Sequence, residues 1–149
     1  MRMSPRRRAR EFVLQGLYQR QLSGNAWPAI REQVADVAGF SKADVPYFGE
    51  LWAGVSAEFD ALVDVVAPYL DRPAGQLSPI ERGVLVIGAW ELGHRLEIPY
   101  RVAINEAVEL AKSYGGTDGH KFVNGVLDKL AGVLRADEIG ALAAEGARL

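Results

Sequence analysis

Five arginines fall in the first ten residues, and four of them, Arg6, Arg7, Arg8 and Arg10, sit within five positions. Residues 11–149 hold 12 basic and 19 acidic side chains, a net charge of −7, so a mildly acidic body carries one concentrated basic end. Packing alone does not call for such a cluster, because like charges repel and are costly to bury. If a helix starts at Pro5, the macrodipole disfavours each of these cations by a few tenths of a kcal/mol. An anionic partner gives them a use, and the guanidinium fork suits phosphate and also stacks on bases. At about 100° per residue, Arg7, Arg10, Leu14 and Tyr18 fall within about 60° of one another, a ring beside two cations that suits single-stranded nucleic acid. The bland reading is a solubilising basic tail, with Tyr18 at the edge of the core.

A second candidate lies late in the chain. Gly115-Gly116-Thr117-Asp118-Gly119 reads as a loop opening onto a helix, whose free N–H groups face anions. Lys121 adds a cation, and Asp118 can accept hydrogen bonds from base edges, or act as an ordinary N-cap. The Gly-Lys-Ser/Thr of a phosphate-binding P-loop is missing. Phe122 lies about 100° from the centre of the Val123, Leu127, Leu130, Leu134 stripe, so it is either a half-exposed ring ready to stack on a base or part of a wide apolar stripe.

Other reactive types do not assemble. There is no cysteine, which removes disulfides, thiolate metal sites and thiol nucleophiles. His94 suits a helix C-terminus, and His120 has no carboxylate at a metal-site spacing. Ser56 lacks the second glycine of a nucleophile elbow. Glu106 and Glu109 are close on one helix, but Lys112 three residues after Glu109 suggests a solvated, paired face. The expectation is a binding protein with no cofactor and no metal.

The elements that must position these residues are helical. Ser4-Pro5 starts a first helix that ends near Ser23-Gly24. A short second helix covers about 28–37. Asp44 caps a long third one, in which Phe48, Leu51, Trp52, Val55, Phe59, Leu62 and Val66 are spaced by threes and fours to about Pro68–Leu70. Asp71-Arg72-Pro73-Ala74-Gly75 is a turn. Ser78-Pro79-Ile80-Glu81 is a capping box opening a strongly apolar, central fourth helix. A fifth covers about 100–114, a sixth follows the glycine loop, and a weak alanine-rich seventh covers about 137–144. The fold class is all-α, about seven helices in one domain over 1–149, with lobes near 1–70 and 78–149. No apolar run reaches the roughly 18 residues of a membrane span. Polar residues break the segment after the N-terminal arginines too early for an export signal. A cytoplasmic location, away from membranes, is expected.

Three stretches resemble the NusB (N-utilisation substance B) family: Arg6-Arg7-Arg8-Ala9-Arg10-Glu11, the run from Pro99 through Asn105-Glu106 to Lys112, and His120-Lys121-Phe122-Val123-Asn124-Gly125 continuing to Lys129. The resemblance covers essentially the whole chain, less so over 24–44 and after about 136. It implies a fold of two packed helical lobes and a cytoplasmic, non-enzymatic role in transcription antitermination. It further implies binding of single-stranded boxA RNA together with NusE, a small-subunit ribosomal protein, to help load an antitermination complex on RNA polymerase during ribosomal RNA transcription. The RNA-bordering positions it implies are Arg6, Arg7, Arg8, Arg10, Tyr18, Glu81, Asp118, Lys121 and Phe122. A homodimer that hides the RNA face is left open. Two other readings stand beside it: a helical module that binds only proteins, and the NusB-like domain of an RNA cytosine methyltransferase. The chain length is expected to exclude the second, since no cofactor-binding domain follows.

Overall fold

The computed structural model describes residues 3–148; Arg2 lies outside them. Among the described residues are eight α-helices joined by short loops and three single 3₁₀ turns, with no strand. The helices are α1 (Pro5–Ser23), α2 (Trp27–Ala35), α3 (Val45–Ala57), α4 (Phe59–Val66), α5 (Pro79–His94), α6 (Tyr100–Tyr114), α7 (Gly119–Leu134) and α8 (Ala136–Arg148). None is long and apolar enough to cross a membrane.

Local chemistry explains most boundaries. Ser4 Oγ accepts the N–H of Arg7 at 3.1 Å ahead of Pro5, and Gly24 closes α1 in the left-handed region at φ 69°. Asp44 Oδ1 accepts the N–H of Tyr47 at the head of α3. The long third helix expected from spacing is two helices. Glu58, at φ −118° and ψ 19°, interrupts it, although no proline or glycine stands at the junction. Tertiary contacts hold the bend: Glu58 Oε2 lies 3.2 Å from His94 Nε2, and the Phe59 ring packs 5.8 Å from that of Trp27. The apolar period runs through the bend unchanged, so spacing alone gives no sign of it.

α5 is the axis of the molecule. Residues 83–92 are all buried, and α1, α3, α4, α6 and α7 pack around them. Gly54 of α3 faces the indole of Trp90 so closely that no Cβ fits between them. One continuous buried cluster draws on both halves of the chain.

A buried arginine pins the far end of this axis. Arg135, between α7 and α8, is 3% exposed and donates to the carbonyls of Leu92 (2.7 Å), Arg95 (3.0 Å) and Ile98 (2.9 Å). It thereby caps α5, where carbonyls lack helical partners and the dipole favours a cation. Its Nη1 also donates to Glu138 Oε1 at 2.6 Å, and Glu138 Oε2 accepts the N–H of Tyr100 at 2.9 Å, capping α6. α8 begins at Ala136, one residue before the expected start, and runs to Arg148, beyond the expected end near 144. The Tyr100 N–H first, then Arg135, hold the Glu138 carboxyl below its ordinary value of 4.5. A depressed folded-state pKa stabilises the fold above the unfolded-state value and loses that contribution as pH falls through the folded one. Thermal melts of Glu138→Gln against pH should show a smaller loss of stability on acidification below 4.5 than the parent. Parallel curves would mean that Glu138 does not contribute to the acid limb.

Candidate nucleic-acid interface

The four N-terminal arginines of α1 have four different fates. Arg8, half-buried, makes no ion pair among the described residues and lines an open groove. Arg6 lies over the Tyr47 ring, 4.2 Å from its centroid, and 3.8 Å from Asp44. Arg7 grips Glu106 of α6 with two hydrogen bonds of 2.8 and 3.0 Å and keeps 38% of its side chain exposed.

Arg10 corrects the expectation that it borders RNA. It is 3% exposed, and its Nε donates to both carboxylate oxygens of Glu91, at 2.9 and 3.1 Å. Glu106 lies 3.6 Å away, and the hydroxyl of Tyr47 donates to Glu91 as well. The wheel that groups Arg10 with Leu14 is right, but Leu14 faces α5 and Arg10 goes inward with it. Burial raises the Glu91 carboxyl above the ordinary range against the pull of Arg10 and Tyr47, and burial and then Glu91 raise the Tyr47 phenol. Glu106, expected on a solvated face, turns inward to Arg7 and Arg10; Glu109 and Lys112 do form the exposed pair, 3.5 Å apart.

The groove beside Arg8 has a volume of about 420 Å³ and is lined by Phe12, Tyr18, Ile80 and Tyr114, with Glu11 at its edge. Tyr18 is 40% exposed and Tyr114 is 49% exposed, so two phenol rings face solvent beside a free guanidinium. Burial and the neighbouring Glu11 carboxylate raise the Tyr114 phenol. Spacing sets Tyr18 beside Arg7 and Arg10; in the structure it shares a groove with Arg8.

Two residues of the groove wall are chain neighbours of the second candidate. Ile80 precedes Glu81, and Tyr114 precedes the glycine loop. Ser78 Oγ accepts the N–H of Glu81 at 3.1 Å, as a capping box requires. The Glu81 side chain does not reach back to the Ser78 N–H but accepts the Ser78 hydroxyl at 3.0 Å. The other Glu81 oxygen lies against Gly119, about 3.9 Å from where a Cβ would stand. Asp118 and Lys121 are exposed and 3.6 Å apart; Asp118 occupies the N-cap position of α7, though its side chain makes no capping hydrogen bond. Phe122 is half-buried, packed inward on the core and covered by the guanidinium of Arg72, 4.7 Å from its ring centroid.

Several of these partners escape sequence reasoning. Glu91 and Tyr47 are ordinary members of helical stripes until a buried cation is known to face them. Tyr114 shares the aromatic character of Tyr18 but falls at a helix end, and Arg72 reads only as turn. Ser56 returns its hydroxyl to the carbonyl of Ala53 at 3.3 Å, and His94 pairs with Glu58, so both have structural partners.

Removing one member of a buried pair leaves the other charge stranded, at a cost of about 3–5 kcal/mol. Arg10→Ala should therefore lower the urea midpoint sharply, whereas Arg7→Ala, at a half-exposed pair, should cost about 1 kcal/mol or less. Equal midpoints for the two variants would refute the buried role assigned to Arg10.

Residues 7–132 match the profile of the NusB family. The transcription antitermination protein NusB of Aromatoleum aromaticum is 56% identical over 136 residues, which cover 91% of this chain and 94% of that protein. The protein of the same name from Bordetella pertussis is 54% identical over 142 residues, covering 93% and 92%. The solved T. maritima NusB superposes with a TM-score of 0.77 at 30% identity, covering 89% of this chain and 94% of that one. The family profile, the sequence identity over most of the length and the superposed fold agree: the chain belongs to the NusB family.

Proposed function

We propose that the chain is a transcription antitermination factor that holds single-stranded, boxA-type nascent RNA together with the ribosomal protein NusE and delivers both to RNA polymerase in the cytoplasm. The antitermination role is the one that the names of its curated relatives state for them. The observation that carries the RNA reading is the groove in which Arg8 stands beside Tyr18 and Tyr114, with Ile80, the neighbour of Glu81, on its wall.

Each part of that surface has work suited to a flexible polynucleotide. Arg6, Arg8 and Lys121 offer charge to phosphates, with Arg7 at the margin and already paired. Phosphate contacts give affinity and orientation but carry no sequence. Tyr18 offers a flat face for stacking, which tolerates any base. Glu81 and Asp118 are acceptors for base-edge amino groups, and they also repel phosphate, which keeps the backbone on the arginine side. Phe122 borders the same region from α7. This is recognition without bond making: the surface needs no nucleophile, metal or cofactor.

Affinity for a boxA-type RNA oligonucleotide, measured with NusE against salt, tests the reading. Three phosphate contacts on a single strand give a log–log slope of about −2, and the double variant Arg6→Ala/Arg8→Ala should keep about −0.7. Tyr18→Ala should weaken binding by about 1–3 kcal/mol and leave the slope unchanged. A double variant that keeps the parental slope and affinity would remove the arginines from the RNA.

A further inference from the structure

Phe122 is half-buried, and its ring carries a guanidinium. The residue packs against the core, and Arg72 lies over its ring, the Cζ 4.7 Å from the ring centroid. Arg72 comes from the turn between α4 and α5, a segment with no part in the surface described so far. It is held there by more than the ring. Asp71 grips it with two hydrogen bonds, from Nε at 2.7 Å and from Nη2 at 3.2 Å. The side chain nevertheless stays 40% exposed. Phe122 stands in the first turn of α7, three residues after Gly119, whose Cα faces the Glu81 carboxylate.

We infer that Arg72, and not the bare ring of Phe122, is the element of this end of the surface that meets the RNA. The idea rests on the RNA-binding reading above and adds a residue to it. A guanidinium is planar and weakly hydrated, so it can lie on an aromatic ring with one face and receive a base on the other. Its unused N–H groups point outward to a phosphate. Phe122 and Asp71 then position Arg72: the ring supports it from beneath and the carboxylate fixes its rotation. Less rotamer freedom remains to be lost when RNA arrives. The pair stands at the first turn of α7, so it extends the contact surface from α1 to the α4–α5 turn.

Arg72→Ala and Arg72→Lys separate the alternatives, with a boxA-type RNA oligonucleotide as probe, NusE present and circular dichroism as the check on folding. The alanine variant should bind about tenfold more weakly, the loss of one stacked base. Its log–log salt slope should be shallower by about 0.7, the loss of one phosphate contact. Lysine keeps the charge without the plane, so it should restore the slope and only part of the affinity. Tighter binding by Arg72→Ala would make Arg72 a lid over a stacking ring, and unchanged binding would make it a cap on apolar surface; either result overturns the inference. If the parent binds RNA and responds to Arg6→Ala/Arg8→Ala but not to Arg72, the inference alone falls. If the parent does not bind RNA, the proposed function falls and takes the inference with it.

Discussion

Arg10 and Glu91 meet inside the protein, and a charge pair in that position tolerates little displacement. An unpaired charge there is costly, so α1, α3, α5 and α6 are held where Arg10, Tyr47, Glu91 and Glu106 can satisfy one another. The pair therefore fixes the rotation of α1 about its own axis. With Arg10 turned inward, Arg8 and Tyr18 must face the groove, and Arg7 falls at its margin on Glu106. Part of the basic cluster is structural, and that part aims the rest.

The same C-terminal end of α5 uses the device a second time. Arg135 enters the interior from the α7–α8 junction and satisfies carbonyls that the helix leaves open. One buried arginine thus orients the N-terminal helix and another closes the C-terminal end of the axis. Both are conspicuous against a core otherwise almost wholly apolar.

The helical class, the caps at Ser4, Asp44 and Ser78, the central place of α5 and the stop at Gly24 were all legible in the sequence, because each depends on a few neighbouring residues. Information absent from neighbours was not legible. The bend at Glu58 depends on His94 and Trp27, far away in the chain. The inward turn of Arg10 depends on Glu91, 81 residues later. A helical wheel gives the angle between Arg10 and Tyr18 but not which way either faces. Asp118 does stand at the N-cap of α7, but its side chain makes no capping hydrogen bond and lies 3.6 Å from Lys121. The arginines and Tyr18 could be named as candidates from type and spacing; the addition of Tyr114 and Arg72 required the folded surface.

The way α5 is enclosed also bears on how the molecule comes apart. Helices from both ends of the sequence cover it, so neither half keeps a closed interior once it withdraws. Local fraying at α8 or the glycine loop leaves that enclosure intact. The amide protons of residues 83–92 are therefore shielded from solvent exchange until the whole chain opens, and the chain loses its structure as one cooperative unit.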